Sequence, residues 1–269
     1  MQTCSTPSAD SPAGVFYLDV LTRLAADGVP FLIGGAFALS RYSSIHRDTK
    51  DLDVFVKPDD TPRALALMRE AGYRAEMPFP HWLGKVYENE RGGHFIDLIF
   101  SSGNGVARVD DLWFERAVID EVLGMKVGLC PAEEMIWSKA FIQERERFDG
   151  ADVLHLFHAL GPSLDWNHLL ARFQDNWPVL FAHVVMFRYV YPDSRDRIPE
   201  WVVRDLAWRL SAEPPPPVHV CRGTLLSREQ YLWDLGRLRY EDARLTPRGA
   251  MTREEIEIWT NAIDDPETH

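Results

Sequence analysis

Apolar residues recur at helical spacing between residues 13 and 27, where side chains such as Phe16 and Val20 share one face. Short uninterrupted apolar runs follow at 31–33 and 51–56, and runs of that length flanked by turn residues are typical of buried strands. The pattern up to residue 71 therefore predicts, in order, helix 13–27, strand 31–33, helix 36–42, strand 51–56 and helix 62–71.

Two further extended runs, 82–87 and 94–100, are separated by the polar segment 88–93, which ends in two glycines. This arrangement predicts an antiparallel hairpin. Residues 124–130 predict a last strand at the edge of the sheet. Strands alternating with helices in this way indicate an α/β (α+β) fold with a mixed sheet and flanking helices.

The remaining sequence is mainly helical. We expect a disordered lead-in over 1–12, one domain over 13–160 and a mostly helical C-terminal region over 161–269, with a proline-rich linker at 214–217. Thr252 and Glu255 form a capping-box pattern, which predicts the start of the last helix. The other predicted helices are 131–147, 149–160, 165–174, 178–191 and 199–211.

The formal net charge is −12 over 269 residues. An acidic chain of this kind lacks the broad basic face that non-specific binding to duplex nucleic acid requires, so such binding is excluded as its main task. The charge still allows a small acidic site that holds cations.

Cysteine usage and hydropathy favour a soluble cytoplasmic protein. The three cysteines are far apart in sequence, which excludes a disulfide scaffold and fits a reducing compartment. The most apolar long segment, 177–191, is interrupted by His183 and Arg188 and is too short and polar to span a membrane.

Asp51 and Asp53 are the central candidates for chemistry. Residues two apart on a strand point the same way, so both carboxylates share one face while Leu52 points to the other. Two such close carboxylates repel each other, and a divalent cation such as Mg²⁺ relieves the repulsion. The alternative is a pair of acids at a strand start that are simply open to solvent.

Gly34 and Gly35 stand between a predicted strand and a predicted helix. Glycines there let the backbone approach a ligand closely, and the amides at a helix N-terminus suit phosphate. A tight turn is the alternative explanation.

Asp97 lies inside the apolar run 94–100, where a carboxylate is costly unless it is paired or metal-bound. An ion pair with Arg47 or Lys50 is the alternative to a metal.

A glycine pair before a helix, a DxD on the next strand and a third carboxylate on a later strand together resemble the DNA polymerase β-like nucleotidyltransferase superfamily. Within it, the sequence is similar to bacterial nucleotidyltransferases of the abortive-infection type II toxin class, which show an R-x-T-x-D-x-D motif. Here that motif is Arg47, Thr49, Asp51 and Asp53. A later helix with Lys139 and a following acidic pair extends the resemblance over about residues 15–160.

The resemblance implies a metal-dependent enzyme that moves a nucleoside monophosphate (NMP) from a nucleoside triphosphate (NTP) to an acceptor hydroxyl and releases pyrophosphate. Asp51, Asp53 and Asp97 would be the catalytic residues and the ligands of Mg²⁺ or Mn²⁺, and Asp97 would also take the acceptor's proton. The residues implied in nucleotide binding are Gly34, Gly35, Arg47, Thr49, Lys50 and Lys139.

The acceptor implied in this way is an RNA end, a protein or a small molecule. A cognate antitoxin is a further implied partner. The contrasting interpretation is a non-catalytic nucleotide- or partner-binding module on the same fold.

Overall fold

The computed structural model describes residues 7–47, 49, 51–89, 92–214 and 218–262. Lys50, most of the expected proline-rich linker and the first six residues of the expected lead-in lie outside these ranges. The chain forms two compact units, Met1–Pro131 and Ala132–His269. Among the described residues, no helix is both long enough and apolar enough to cross a lipid bilayer.

The first unit contains a seven-stranded mixed sheet. Its strands are β1 (Phe31–Ile33), β2 (Asp51–Val56), β3 (Arg74–Phe79), β4 (Leu83–Asn89), β5 (Gly92–Ile99), β6 (Val118–Val122) and β7 (Met125–Leu129). Their order across the sheet is β3-β4-β5-β2-β1-β7-β6. The pairs β2–β5 and β1–β7 are parallel and the other neighbours are antiparallel, so the predicted mixed sheet is confirmed.

The α-helices that accompany the sheet in the described part of this unit are α1 (Pro12–Ala26), α2 (Gly35–Ser43), α3 (Thr61–Glu70) and α4 (Asp111–Glu115). Helix α1 contacts β5, and α3 contacts β3 and β4. Leu52, Val54, Ile96 and Leu98 are fully buried on the two central strands β2 and β5. Burying each such side chain stabilises the fold by about 1.5–3 kcal/mol. The residues that alternate with them therefore face the other side of the sheet, where the polar site forms.

The prediction of an edge strand at 124–130 was wrong, because β7 lies between β1 and β6 and the edge belongs to β6. Strand β6 escapes a periodicity search because its apolar residues Val118, Ile119 and Val122 do not alternate with polar ones. Strand β3 was also missed. It contains Pro78, which normally argues against a strand, but β3 is the opposite edge of the sheet, where a proline is tolerated.

The second unit is mostly helical, and it begins earlier in the chain than the helical region expected over 161–269. Its helices are α5 (Ala132–Lys139), α6 (Gly150–Leu160), α7 (Trp166–Phe173), α8 (Trp177–Val190), α9 (Glu200–Ala212), α10 (Leu232–Arg237) and α11 (Arg253–Asn261). A small parallel pair, β8 (Val220–Cys221) and β9 (Glu241–Asp242), completes it. The capping box at the start of α11 is confirmed, with Thr252 and Glu255 each bonding the other's backbone amide.

The predicted helix 131–147 is shorter than expected, because α5 ends at Lys139. The chain turns there, with the Ile142 amide bonded to the Lys139 carbonyl oxygen at 3.0 Å. A bridge between Gln143 and Phe148 then closes a loop. This loop returns Asp149 to the Lys139 side chain, and that buried ion pair outweighs the helical preference of the charged residues between them.

Candidate functional site

Three carboxylates meet on the polar face of strands β2 and β5. The two strands are parallel neighbours, and Asp53 is paired in register with Asp97. Asp51 lies two residues earlier on the same face of β2. One carboxylate oxygen from each of the three residues lies within 4.8 Å of the other two, and all three residues are half-buried. Carboxylate oxygens grouped in this way are the ligand set that a hard divalent cation prefers, so the residues present fit Mg²⁺ or Mn²⁺.

Lys85 is bonded to one acid of this cluster, and the sequence analysis did not identify it. Its Nζ donates to Asp97 Oδ1 at 3.0 Å. The side chains are 8% and 14% exposed, respectively, so this is a largely buried ion pair. The partners expected from the sequence were Arg47 and Lys50. Lys50 lies outside the described residues, and a pairing of Asp97 with Arg47 stays a prediction.

A change of register in the β4–β5 hairpin explains why Lys85 was missed. Near the turn, Asn89 is opposite Gly92, and continuing that register would place Lys85 opposite Ile96 on the apolar face. The register shifts between Tyr87 and Asn89, so Lys85 lies opposite Asp97 instead. A one-residue shift moves every side chain of a strand to the opposite face. The sequence could have predicted the pairing of Lys85 with Asp97 only if it had shown where this irregularity lies.

Thr49 fixes the orientation of Asp51. Its hydroxyl group donates to Asp51 Oδ1 at 2.6 Å and also lies 3.1 Å from the Asp51 carbonyl oxygen. A short hydrogen bond to a carboxylate oxygen restricts the rotation of that carboxylate. In this structure, Thr49 therefore acts on the acid cluster directly.

Gly34 and Gly35 bring the start of α2 against Asp53. The Gly34 amide donates to the Asp53 carbonyl oxygen at 3.0 Å. Gly35 has a φ of +53°, and a Cβ atom there would lie 1.6 Å from Asp53 Oδ2. A Cβ at Gly34 would lie 2.3 Å from the Phe55 ring. Both positions thus exclude side chains, and the N-terminus of α2 meets the Asp53 carboxylate with favourable polarity.

Tyr17 of α1 is a second residue near the cluster that the sequence did not single out. It is fully buried, and its ring is edge-on to the rings of Phe37 and His94. Burial, followed by the negative charges of Asp51 and Asp53, raises the pKa of Tyr17 far above its usual value. The phenol is therefore neutral at any physiological pH and adds no further negative charge to the site.

Lys139 lies in the second unit, where two acids hold its ammonium group. Its Nζ is 2.7 Å from Asp149 Oδ2 and 2.9 Å from Asp152 Oδ2. Burial opposes the charge of Lys139, but the two carboxylates outweigh it and raise the lysine pKa. Burial likewise opposes ionisation of Asp149, yet the charges of Lys139 and Arg147 hold its pKa well below the usual range. Lys139 and Asp149 are therefore both ionised throughout the neutral range.

Comparisons with known proteins come from sequence and from structure. Residues 17–177 match the model of a family described as uncharacterised nucleotidyltransferase. No curated protein sequence matches the chain.

Three solved structures illustrate what the chain resembles. The antibiotic-resistance factor ANT(2'')-Ia is 15% identical with a TM-score of 0.39, and the match covers 63% of this chain and 95% of that one. The lincosamide antibiotic adenylyltransferase LnuA, solved with lincomycin, is 13% identical with a TM-score of 0.38, covering 53% and 94%. JHP933 from Helicobacter pylori is 11% identical with a TM-score of 0.41, covering 77% and 97%.

The family match includes α1 from Tyr17 onward, the whole seven-stranded sheet and the three site carboxylates, and it extends beyond the first compact unit to Trp177, the first residue of α8. It spans more than half of the chain, and the protein therefore belongs to this nucleotidyltransferase family.

Proposed function

We propose that the protein transfers an NMP from an NTP to an acceptor hydroxyl group, with Mg²⁺ or Mn²⁺ bound by Asp51, Asp53 and Asp97. The observation that carries the proposal is the convergence of these three carboxylates within 4.8 Å on two neighbouring strands. Three acids so close are mutually repulsive, and their geometry is what a cation-dependent phosphoryl-transfer site requires.

The residues would share the work as follows. Asp51, held by Thr49, and Asp53, held against the start of α2, would be ligands of the cation. Asp97 would be a ligand and would also accept the proton of the acceptor hydroxyl group. When bound, a divalent cation neutralises negative charge on the phosphate oxygens.

The proposed reaction balances without any further reagent. The acceptor oxygen forms a bond to the α-phosphorus, and the bond from that phosphorus to the oxygen bridging the α- and β-phosphates breaks. The electron pair of the broken bond leaves with pyrophosphate. The hydroxyl proton passes to Asp97.

Binding of the triphosphate would fall to the N-terminus of α2 and to nearby cations. The amides that follow Gly34 and Gly35 lie beside Asp53, and helix N-termini bind phosphate through such amides. Arg47, Thr49 and Lys50 directly precede the acid pair in sequence, and Lys139 remains a further candidate by resemblance.

The acceptor and the biological setting are finer proposals. The order of Arg47, Thr49, Asp51 and Asp53 supports a place beside the abortive-infection type II toxin nucleotidyltransferases. In that setting the acceptor would be an RNA end or a protein, a cognate antitoxin would be a partner, and the protein would act in the cytoplasm. A small-molecule hydroxyl is the other acceptor class.

The test is mass spectrometry of acceptor panels incubated with each NTP and Mg²⁺. We expect one acceptor class to gain the mass of one NMP, with equimolar pyrophosphate released. The Asp51→Asn/Asp53→Asn double variant should give no gain, because both fixed ligands on β2 are lost. A mass gain that persists in this variant would place the chemistry elsewhere. Nucleotide binding by wild type without any transfer would favour the non-catalytic binding module.

A further inference from the structure

We propose that Lys85 is a positioning residue, which holds Asp97 in place and offsets one of the three negative charges before any cation binds. The inference rests on the proposed function, since it assigns Lys85 a role toward the same cation. It concerns a residue that no motif of the chain includes.

Geometry places Lys85 in line with the site. Lys85 is opposite Asp97 across β4 and β5, and Asp97 is opposite Asp53 across β5 and β2. The three residues therefore form a row on one face of the sheet, about 4.8 Å from strand to strand. The Lys85 ammonium group bonds Asp97 Oδ1 at 3.0 Å, at the end of the row away from Asp53.

Burial fixes Lys85 in this position. Its side chain is 8% exposed, and its Nζ also lies 4.2 Å from the centre of the Phe95 ring. A buried ammonium group is costly without a partner, so moving it away from both the carboxylate and the ring would lose two stabilising contacts. Among the described residues, Asp97 is the carboxylate that Lys85 bonds. The pair thus differs from a surface ion pair, which is worth little and moves freely.

The charge of Lys85 changes what the site can hold. Three carboxylates alone carry −3, and Lys85 reduces the sum to −2, which one divalent cation balances. With Lys85 in place, Asp97 is oriented before the cation arrives, and a preorganised group need not be reoriented during the reaction. Lys85 thereby weakens intrinsic attraction for the cation while it improves the geometry for transfer.

This role gives opposite expectations for binding and for turnover. Lys85→Met removes a positive charge beside the three carboxylates. Mn²⁺ binding, measured calorimetrically without nucleotide, should therefore become at least about 3-fold tighter. Turnover should nevertheless fall at least about 10-fold, because Asp97 is no longer held in the orientation that the transfer step requires. The NTP KM should change little, because Lys85 makes no contact with the bound NTP in this proposal. Lys85→Arg keeps the charge, so its Mn²⁺ affinity should match wild type and part of its turnover should return.

Lys126→Met is the matched control. Lys126 is an exposed lysine on β7, opposite Glu121 of β6. Its substitution removes the same charge from the same sheet, at a position away from the acids. It should leave Mn²⁺ affinity and turnover at wild-type values. If Lys85→Met does not fold, Lys85→Gln, whose amide can still donate to Asp97, undergoes the same titration.

The outcomes separate this inference from the function on which it rests. A Lys85→Met protein that melts at a lower temperature but keeps wild-type Mn²⁺ affinity and turnover would show that Lys85 is only a structural ion pair. Wild-type protein that bound no Mn²⁺ would overturn the proposed function and this inference together. Tighter Mn²⁺ binding with slower turnover would support the positioning role.

Discussion

Gly35 and Asp53 are in such close contact that a Cβ atom at position 35 would lie 1.6 Å from Asp53 Oδ2. Gly35 also has a φ of +53°, a conformation that costs other residues energy. The glycine pair was expected to allow a close approach to phosphate. In the structure, Gly35 allows a close approach to the carboxylate of Asp53. One residue therefore serves to bring the start of α2 to the acid cluster.

Gly35→Ala should impair both stability and the site. We expect a loss of about 1–3 kcal/mol in the free energy of unfolding, because a strained φ and a collision with Asp53 act together. Cation binding should weaken as Asp53 is displaced. Chemical denaturation and Mn²⁺ titration measure the two effects. Gly236→Ala is the control, since a Cβ there meets no atom within 4 Å and helix α10 should tolerate or prefer alanine.

Asp97→Asn should separate binding from turnover. An amide is nearly the same size as a carboxylate but cannot accept the proton, so activity should fall at least ~10²-fold. The NTP affinity should remain mostly intact. Steady-state kinetics beside NTP calorimetry on the same preparation would measure both. Wild-type turnover in this variant would make Asp97 a structural acid, paired with Lys85 for stability alone.

Removal of the cation should be visible in the melting temperature. Three neighbouring carboxylates destabilise the unliganded protein, so Mn²⁺ with NTP should raise the melting temperature by mass action, and a chelator should reverse the rise. Asp51→Asn/Asp53→Asn should abolish the rise. An equal rise in that variant would mean that the nucleotide binds away from β2.

Strand β2 shows which features of the site could be predicted from the sequence. Its bounds, 51–56, follow from an apolar run, and the shared face of Asp51 and Asp53 follows from the period of a strand. An acid between Ile96 and Leu98 needs a partner or a metal, but only the family resemblance implied that it joins Asp51 and Asp53. These features are local, or depend on a single pairing of two strands.

Lys85 shows where sequence patterns stop. Its approach to Asp97 depends on a register shift between Tyr87 and Asn89, which no periodicity records. The early end of α5 at Lys139 has a similar cause, since a tertiary ion pair with Asp149 overrides helical propensity. In both cases the local structure depends on a tertiary contact, and the spacing of the two residues in sequence does not predict that contact.

Lys139→Met should destabilise the second unit strongly. Asp149 and Asp152 are 11% and 7% exposed, and breaking a buried pair by removing one partner costs about 3–5 kcal/mol. Arg147→Met is the control, because Arg147 is 55% exposed and its pair with Asp149 should contribute at most about 1 kcal/mol. Denaturation curves would compare the two.

The same two variants test nucleotide binding. If Lys139 also contacts the triphosphate, the NTP KM should rise in folded Lys139→Met and stay at the wild-type value in Arg147→Met. An unchanged KM in both variants would restrict Lys139 to a structural role.

His183 should make the stability of the helical unit depend on pH. The ring is fully buried in α8, and its Nδ1 bonds the Val179 carbonyl oxygen at 2.9 Å, so Nδ1 carries the proton of the neutral ring. Nε2 is buried and has no hydrogen-bond partner among the described residues. Burial lowers the pKa of His183, because a charged ring there would lose its hydration.

The sign follows from this depressed pKa. Below the unfolded value, near pH 6.5, the unfolded chain binds a proton that the folded protein does not, so stability falls as the pH decreases. The loss should reach up to about 1.4 kcal/mol per pH unit until the folded pKa is passed. His183→Leu, which places an apolar side chain of similar size there, should flatten the dependence of the free energy of unfolding on pH between pH 7.5 and pH 5.

The control is His46→Leu at an exposed position, which should leave the slope unchanged. Denaturant midpoints at several pH values give the measurement, and an equal slope in wild type and His183→Leu would show that other groups set the acid sensitivity.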